Sequence, residues 1–222
     1  MGKFHVVEKF VSINGEARQA GALAAFIRFA GCNLNCSYCD TRWANEKNVP
    51  YEILSEEEIY AFIKESGVCN VTLTGGEPLM QTNMDRLLMM LGKDPSLRIE
   101  IETNGSIDIA PFVNIPGNIV FTLDYKLPGS GMHEAMKVSN YRYLKQSDSV
   151  KFVVSDRQDL DYAREIIEKY CLNDRATVYI SSAFSRVEPT EIVNYMIEHQ
   201  MMREKMQLQL HKYIWDPNRK GV

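Results

Sequence analysis

The stretch Ala24-Ala25-Phe26-Ile27-Arg28-Phe29-Ala30-Gly31-Cys32-Asn33-Leu34-Asn35-Cys36-Ser37-Tyr38-Cys39 joins a strand-like apolar run to a loop holding three cysteines within eight positions. The gaps are three residues and then two, so three thiols can close on one centre. A structural zinc site takes four ligands, commonly as two C-x₂-C pairs, and no second pair exists. A cubane iron–sulfur cluster also usually takes four cysteines, leaving either a distant fourth ligand or one iron open. Cys69 is the only plausible fourth. It opens an apolar strand, and Cys171 ends a helix, so both read as small buried hydrophobes.

Outward from this loop the chain alternates strand and helix patterns. A leading segment spans Phe4 to Phe10. Strand candidates follow at Ala24–Ala30, Asn70–Thr74, Arg98–Thr103, Ile119–Asp124, Val150–Val154, Ala176–Ser181 and Met206–Leu210, the last by alternation of Gln207 and Gln209 with Leu208 and Leu210. The clearest helix starts at Ser55, where Glu58 completes a capping box and Ile59, Phe62 and Ile63 form an apolar face. Others run about Met84–Leu91, Asp156–Tyr170 and Pro189–Met201. Strands separated by helices imply right-handed βαβ units, a parallel sheet, and with six or seven units a full or partial barrel whose chemistry sits at the strands' C-terminal ends. No linker, repeat or low-complexity tract divides the 222 residues, so the expectation is one domain over residues 1–222.

Composition narrows the function. With 45% hydrophobic and 24% charged residues the chain is an ordinary globular protein, and 25 basic against 29 acidic residues leave a net charge of −4. That balance offers no field for nucleic acid or a lipid surface, and the most apolar stretch, Ala20 to Ala30, is too short to span a bilayer. A soluble, cytoplasmic protein with a small-molecule partner is expected.

The C-x₃-C-x₂-C spacing, with Tyr38 before the last cysteine, resembles the cluster loop of the radical S-adenosylmethionine (SAM) enzymes. In that superfamily three cysteines, here Cys32, Cys36 and Cys39, hold a 4Fe-4S cluster whose open iron chelates SAM, and an electron through the cluster cleaves SAM to a 5′-deoxyadenosyl radical. Leu73-Thr74-Gly75-Gly76-Glu77-Pro78 resembles the family's glycine-rich site for the SAM amino group, with Glu77 available to a cationic amine. Glu102-Thr103-Asn104-Gly105 fits a further SAM-contacting loop at the same barrel mouth. The resemblance implies the partial (β/α)6-type TIM barrel of the radical SAM core.

Phe10-Val11-Ser12-Ile13-Asn14-Gly15-Glu16, Phe26-Ile27-Arg28-Phe29-Ala30-Gly31 and Cys39-Asp40-Thr41 are similar to the 7-carboxy-7-deazaguanine synthase family, from Phe10 to Val222. That family contracts 6-carboxytetrahydropterin to 7-carboxy-7-deazaguanine with loss of ammonia, on the route to queuosine and related deazapurines. It implies Ile13, Asn14, Gly15, Arg28, Thr74 and the Val222 carboxylate around the pterin, Tyr38, Cys39, Asp40, Gly76, Asp124, Tyr125 and Lys126 around SAM, and Mg²⁺ on the Thr41 hydroxyl. His211 is a candidate base, a homodimer is implied, and the electron donor would be a protein such as flavodoxin. Arg28 also has a physical argument, because a guanidinium in an apolar strand requires an anion. A carboxylate on the substrate or a pair with Glu16 would each meet it. The family usually has Gln at Asn14, and many members have Ser-Pro-Lys at Asp124-Tyr125-Lys126. A glycyl-radical-enzyme activase and a non-catalytic iron–sulfur carrier are the competing classes.

Overall fold

The computed structural model describes residues 2–217 and 219–222. In chain order its elements are β1 (Phe4–Ile13), β2 (Leu23–Phe29), β3 (Glu52–Leu54), α1 (Glu56–Ser66), β4 (Asn70–Gly75), α2 (Met84–Leu91), β5 (Arg98–Thr103), β6 (Ile119–Tyr125), β7 (Ser149–Val154), α3 (Arg157–Lys169), β8 (Thr177–Ser182), α4 (Pro189–Glu198), β9 (Lys205–Met206) and α5 (His211–Ile214). One sheet carries them in the order β3-β1-β2-β4-β5-β6-β7-β8-β9. From β2 to β9 every pairing is parallel, while β1 runs antiparallel between β2 and β3.

Strand alternation sorts the side chains into two environments. Val71, Leu73, Ile99, Ile101, Leu123, Val150, Phe152 and Ile180 point outward and are buried under Ile59 and Ile63 of α1, Leu88 and Leu91 of α2, Leu160 and Ile167 of α3, and Ile192 of α4. The alternate positions turn inward and are largely polar: Thr72 and Thr74, Glu100, Thr122, Lys151 and Ser181 are all buried.

The sheet curls until its flanks meet. Past β1, the Ala17 amide donates to Gln207 Oε1 (2.6 Å), Gln207 Nε2 returns a bond to the Ala17 carbonyl (3.0 Å), and the Leu210 amide donates to the Gly15 carbonyl (3.1 Å). This seam makes the fold a partial barrel, with β2 and β4 through β8 as its six parallel staves. No helix among the described residues is long and apolar enough to cross a membrane.

Three expectations need correction. The strand and helix alternation fails after β5 and after β6, where only turns and short 3₁₀ pieces such as Val138–Tyr143 connect the strands. Pro111, Pro116, Pro128 and four glycines break those segments, and Gly117 packs so tightly on Gly92 that an added Cβ would lie 2.5 Å from its Cα. Of the expected Met206–Leu210 strand only Met206 belongs to β9, and the glutamines that follow are used in the seam. Cys69 and Cys171 are exposed rather than buried. Cys69 lies at the N-terminal end of β4, opposite the barrel end that carries the other thiols, and Cys171 (φ 49°) turns out in a left-handed cap beyond α3.

Candidate active site

A cavity of about 830 Å³ opens at the C-terminal ends of the staves. Cys32, Cys36 and Cys39 line one side of it. Gly31 (φ +85°) turns the chain out of β2 into their loop. The loop is then pinned by Ser37, which donates through its amide to the Ser130 carbonyl (3.0 Å) and through its hydroxyl to the Gly129 carbonyl (2.8 Å), and by Tyr38 Oη donating to the Val153 carbonyl (3.0 Å).

The thiols have hydrogen-bond donors around them. The Leu34 amide and Asn104 Nδ2 donate to Cys32 Sγ (3.4 and 3.5 Å), Asn45 Nδ2 approaches Cys39 Sγ at 4.0 Å, and Thr41 Oγ1 lies 3.7 Å from it. Burial pushes the Cys32 and Cys36 thiols above the ordinary range, and the two donors work against that at Cys32. Among the described residues no three His, Cys, Asp or Glu side chains close on a single-ion point. Three thiols spread around one cavity, with amide donors aimed at sulfur, fit a larger polynuclear group.

Beside them the glycine loop leaves room by necessity. A Cβ on Gly76 would stand 1.9 Å from the Gly31 carbonyl oxygen, and one on Gly75 (φ +143°) 2.4 Å from that of Phe29. Glu77 does not face the cavity, contrary to its expected role. Its fully buried carboxylate accepts from the amides of Leu79 (3.0 Å) and Asn104 (2.7 Å) and from Thr103 Oγ1 (2.8 Å). It ties the β4 and β5 loops together, and burial raises its pKa to about 7.

The opposite wall is charged. Arg28 donates through Nε to Glu8 Oε1 (2.6 Å) across the β1–β2 pair, not to Glu16. Glu16 instead takes Lys151 Nζ (3.0 Å), Ser181 Oγ (3.2 Å) and Gln209 Nε2 (3.2 Å). Asp124 sits between Lys126 (2.7 Å) and Lys151 (3.6 Å), with its buried Oδ1 unpartnered among the described residues. Although burial favours the neutral amine, Asp124, the Cys36 thiol and the Tyr38 hydroxyl hold Lys126 firmly protonated. Glu102 accepts from Thr74 Oγ1 (3.0 Å). Burial pushes its carboxyl up, while Lys151 pulls it down and Glu16 pushes again.

The C-terminal segment forms the mouth. Lys212 Nζ pairs with Asp40 Oδ2 (3.2 Å), Lys220 Nζ lies 3.9 Å from the Trp43 ring centroid, and Val222 reaches the cavity. His211 packs on Gly15, where a Cβ would come within 2.5 Å of Nδ1. Burial lowers the His211 pKa, which keeps the imidazole neutral at pH 7.

Of the residues expected in the site, Ile13, Gly15, Arg28, Tyr38, Asp40, Thr41, Thr74, Gly76, Asp124, Lys126, His211 and Val222 line this cavity with the three cysteines. Asn14, Glu77 and Tyr125 do not. Asn14 is buried in the barrel interior below the cavity, accepting from Thr72 Oγ1 (2.8 Å). Tyr125 follows inward-facing Asp124 and therefore points outward, packing on Phe152 and Tyr162. Sequence reasoning missed Glu8, Asn45 and Lys151. Lys151 carried the same signal as Arg28, a cation between Val150 and Phe152 in an apolar strand.

Comparison with known proteins agrees with this arrangement. A family profile described as the radical SAM superfamily matches residues 26–113. The chain is 52% identical over 219 residues to a 7-carboxy-7-deazaguanine synthase of Clostridium acetobutylicum, covering 99% of each. It is 32% identical to the enzyme of that name from Koribacter versatilis, over 98% of this chain and 99% of the other. The crystal structure of QueE from Escherichia coli superposes with a TM-score of 0.71 at 22% identity, covering 93% of both chains, and so shares the fold.

Proposed function

Because the chain belongs to the 7-carboxy-7-deazaguanine synthase family of radical SAM enzymes, we propose that its substrate is 6-carboxytetrahydropterin and that the charged wall of the cavity holds it. Membership carries a 4Fe-4S cluster, SAM, a reductant and a small-molecule substrate. In this reading Cys32, Cys36 and Cys39 are the cluster ligands, and the amide donors on Cys32 and Cys39 suit thiolates. When bound, cluster and SAM together supply the 5′-deoxyadenosyl radical that removes a hydrogen atom from the substrate.

The observation that carries the substrate reading is the single cavity with thiols and the Gly76 cradle on one side and Arg28, Thr74 and Val222 on the other. Arg28 presents its guanidinium to a substrate carboxylate while Nε stays on Glu8. Gly15 and Ile13 offer backbone to the flat ring edge, and neutral His211 can accept a proton at the mouth. Tyr38, Asp40, Gly76, Asp124 and Lys126 are the SAM-facing set. Thr41 supplies one hydroxyl to Mg²⁺, with water and substrate oxygens completing the shell, since Asp40 beside it is engaged by Lys212. The enzyme is read as a cytoplasmic homodimer reduced by flavodoxin, and its five free thiols suit a reducing compartment.

Anaerobic reconstitution with iron and sulfide, then SAM, reductant, Mg²⁺ and 6-carboxytetrahydropterin, should yield 7-carboxy-7-deazaguanine and ammonia in equal amounts. Formation of a glycyl radical on an added protein partner, with the pterin left intact, would replace this reading by the activase one.

A further inference from the structure

The donors to the three thiols are unequal, and the best held of them is the side chain of Asn104. Its orientation is set from the far side. Asn104 Oδ1 accepts from both the Ser106 amide (3.0 Å) and Ser106 Oγ (2.7 Å), so the NH₂ group must face the other way. There its two hydrogens meet two acceptors, Cys32 Sγ (3.5 Å) and Asn33 Oδ1 (3.0 Å). Asn33 Nδ2 closes the ring by donating to Ser106 Oγ (2.8 Å). The Asn104 backbone is itself fixed through its amide on Glu77, and the residue is only 7% exposed. Cys39 has only the longer approaches from Asn45 and Thr41, and Cys36 has no side-chain or amide donor among the described residues.

We infer that Asn104 is a positioning residue for electron uptake: its locked amide N–H to Cys32 sulfur sets the cluster's reduction potential, and Ser106 and Asn33 keep that N–H in place. The physical ground is charge. Reduction adds an electron to a thiolate-ligated cluster, and an N–H dipole pointed at one of its sulfurs favours the more negative state. The inference rests on Cys32 being a cluster ligand.

The test is a redox titration of the reconstituted protein without SAM, following the electron paramagnetic resonance signal of the reduced cluster in wild type, Asn104→Leu and Ser106→Ala. Leu keeps the volume and removes the donor. At a solution potential that half-reduces wild type, the ratio of reduced to oxidised cluster in Asn104→Leu should fall about tenfold, roughly 59 mV for one electron. Ser106→Ala, which removes the hydroxyl from Asn104 Oδ1 and from Asn33 and leaves only the backbone amide of residue 106 to orient the side chain, should shift the same way by less. Midpoints equal to wild type in both variants would overturn the inference. If Asn104→Leu fails to hold iron, Ser106→Ala decides alone, a negative shift supporting the role and no shift ending it. A full cluster in Cys32→Ala would instead defeat the ligand assignment itself.

Discussion

Arg28 answers to two anions, one in the protein and one in the proposed substrate. Its Nε holds Glu8, and both side chains are largely buried, so Arg28→Ala removes a clamp and also strands a carboxylate. The single variant should bind 6-carboxytetrahydropterin more weakly by ~2–5 kcal/mol, roughly 30-fold to several thousandfold, and should also melt earlier. Glu8→Gln on top of it should restore melting but not affinity, while uncoupled cleavage of SAM to 5′-deoxyadenosine persists in both. A double variant that binds pterin like wild type would remove Arg28 from the substrate site. Arg28 was legible because a cation inside an apolar strand requires a partner, and the cysteine loop because its spacing allows few chemistries. Glu77 was not legible in the same way: its neighbours, the Leu79 amide and the β5 loop, come from segments whose meeting is a tertiary fact. Tyr125 stands off the cavity for a simpler reason, since one step along a strand reverses the face a side chain presents, while Asn14, just past β1, is held deeper in the barrel by inward-facing Thr72.

At the level of elements, local chemistry was readable and connections were not. The Ser55 box forms as its sequence implies, with the Glu58 amide on Ser55 Oγ (3.2 Å) and the Ser55 amide on Glu58 Oε2 (2.8 Å). Ser55→Ala should cost ~1 kcal/mol, seen as a Tm lower by about 2–4 °C. By contrast β3 has three residues and no pattern of its own, and exists because the edge of β1 is there to pair with. Inside the barrel β5 carries Glu100 and Glu102 on one face, an arrangement whose consequence depends on burial. Burial first, and the neighbouring carboxylate second, push Glu100 up to about 7. A carboxyl that binds its proton more tightly folded than unfolded contributes stability below about 4.5, and that contribution is lost as pH rises towards 7. Glu100→Gln keeps an acceptor for Thr122 Oγ1 (2.6 Å) and cannot ionise. Its Tm should gain on wild type between pH 5 and pH 8 under anaerobic conditions, and parallel Tm curves would show that Glu100 does not titrate there.

The molecule as a whole is an open sheet that behaves as a barrel because one seam joins its flanks. Gln207 and Gln209 read as the polar half of an alternating strand, yet the structure spends them on closure, Gln207 on the Ala17 backbone and Gln209 on Glu16. No local pattern announces this, because the partners lie 190 residues away. The seam also divides the site. The thiol loop hangs on β2, on the β4 and β5 loops, on the turn after β6 and, through Tyr38, on β7, whereas Gly15, Glu16 and His211 flank the seam itself, and the terminal residues are tied to the cavity there and through Asp40 and Trp43. Gln207→Leu strands the buried Ala17 N–H at ~1–3 kcal/mol and leaves its carbonyl only the Ala20 amide (3.4 Å), against a stability of about 5–15 kcal/mol for a typical domain. Local opening should therefore precede global unfolding. Hydrogen exchange in the variant should rise first at residues 15–17 and 207–217, with β4 to β6 still protected. Pterin affinity should fall while iron content stays at wild-type level. Uniform acceleration of exchange, or loss of iron together with affinity, would mean that the seam supports the whole fold and not the substrate half of the site.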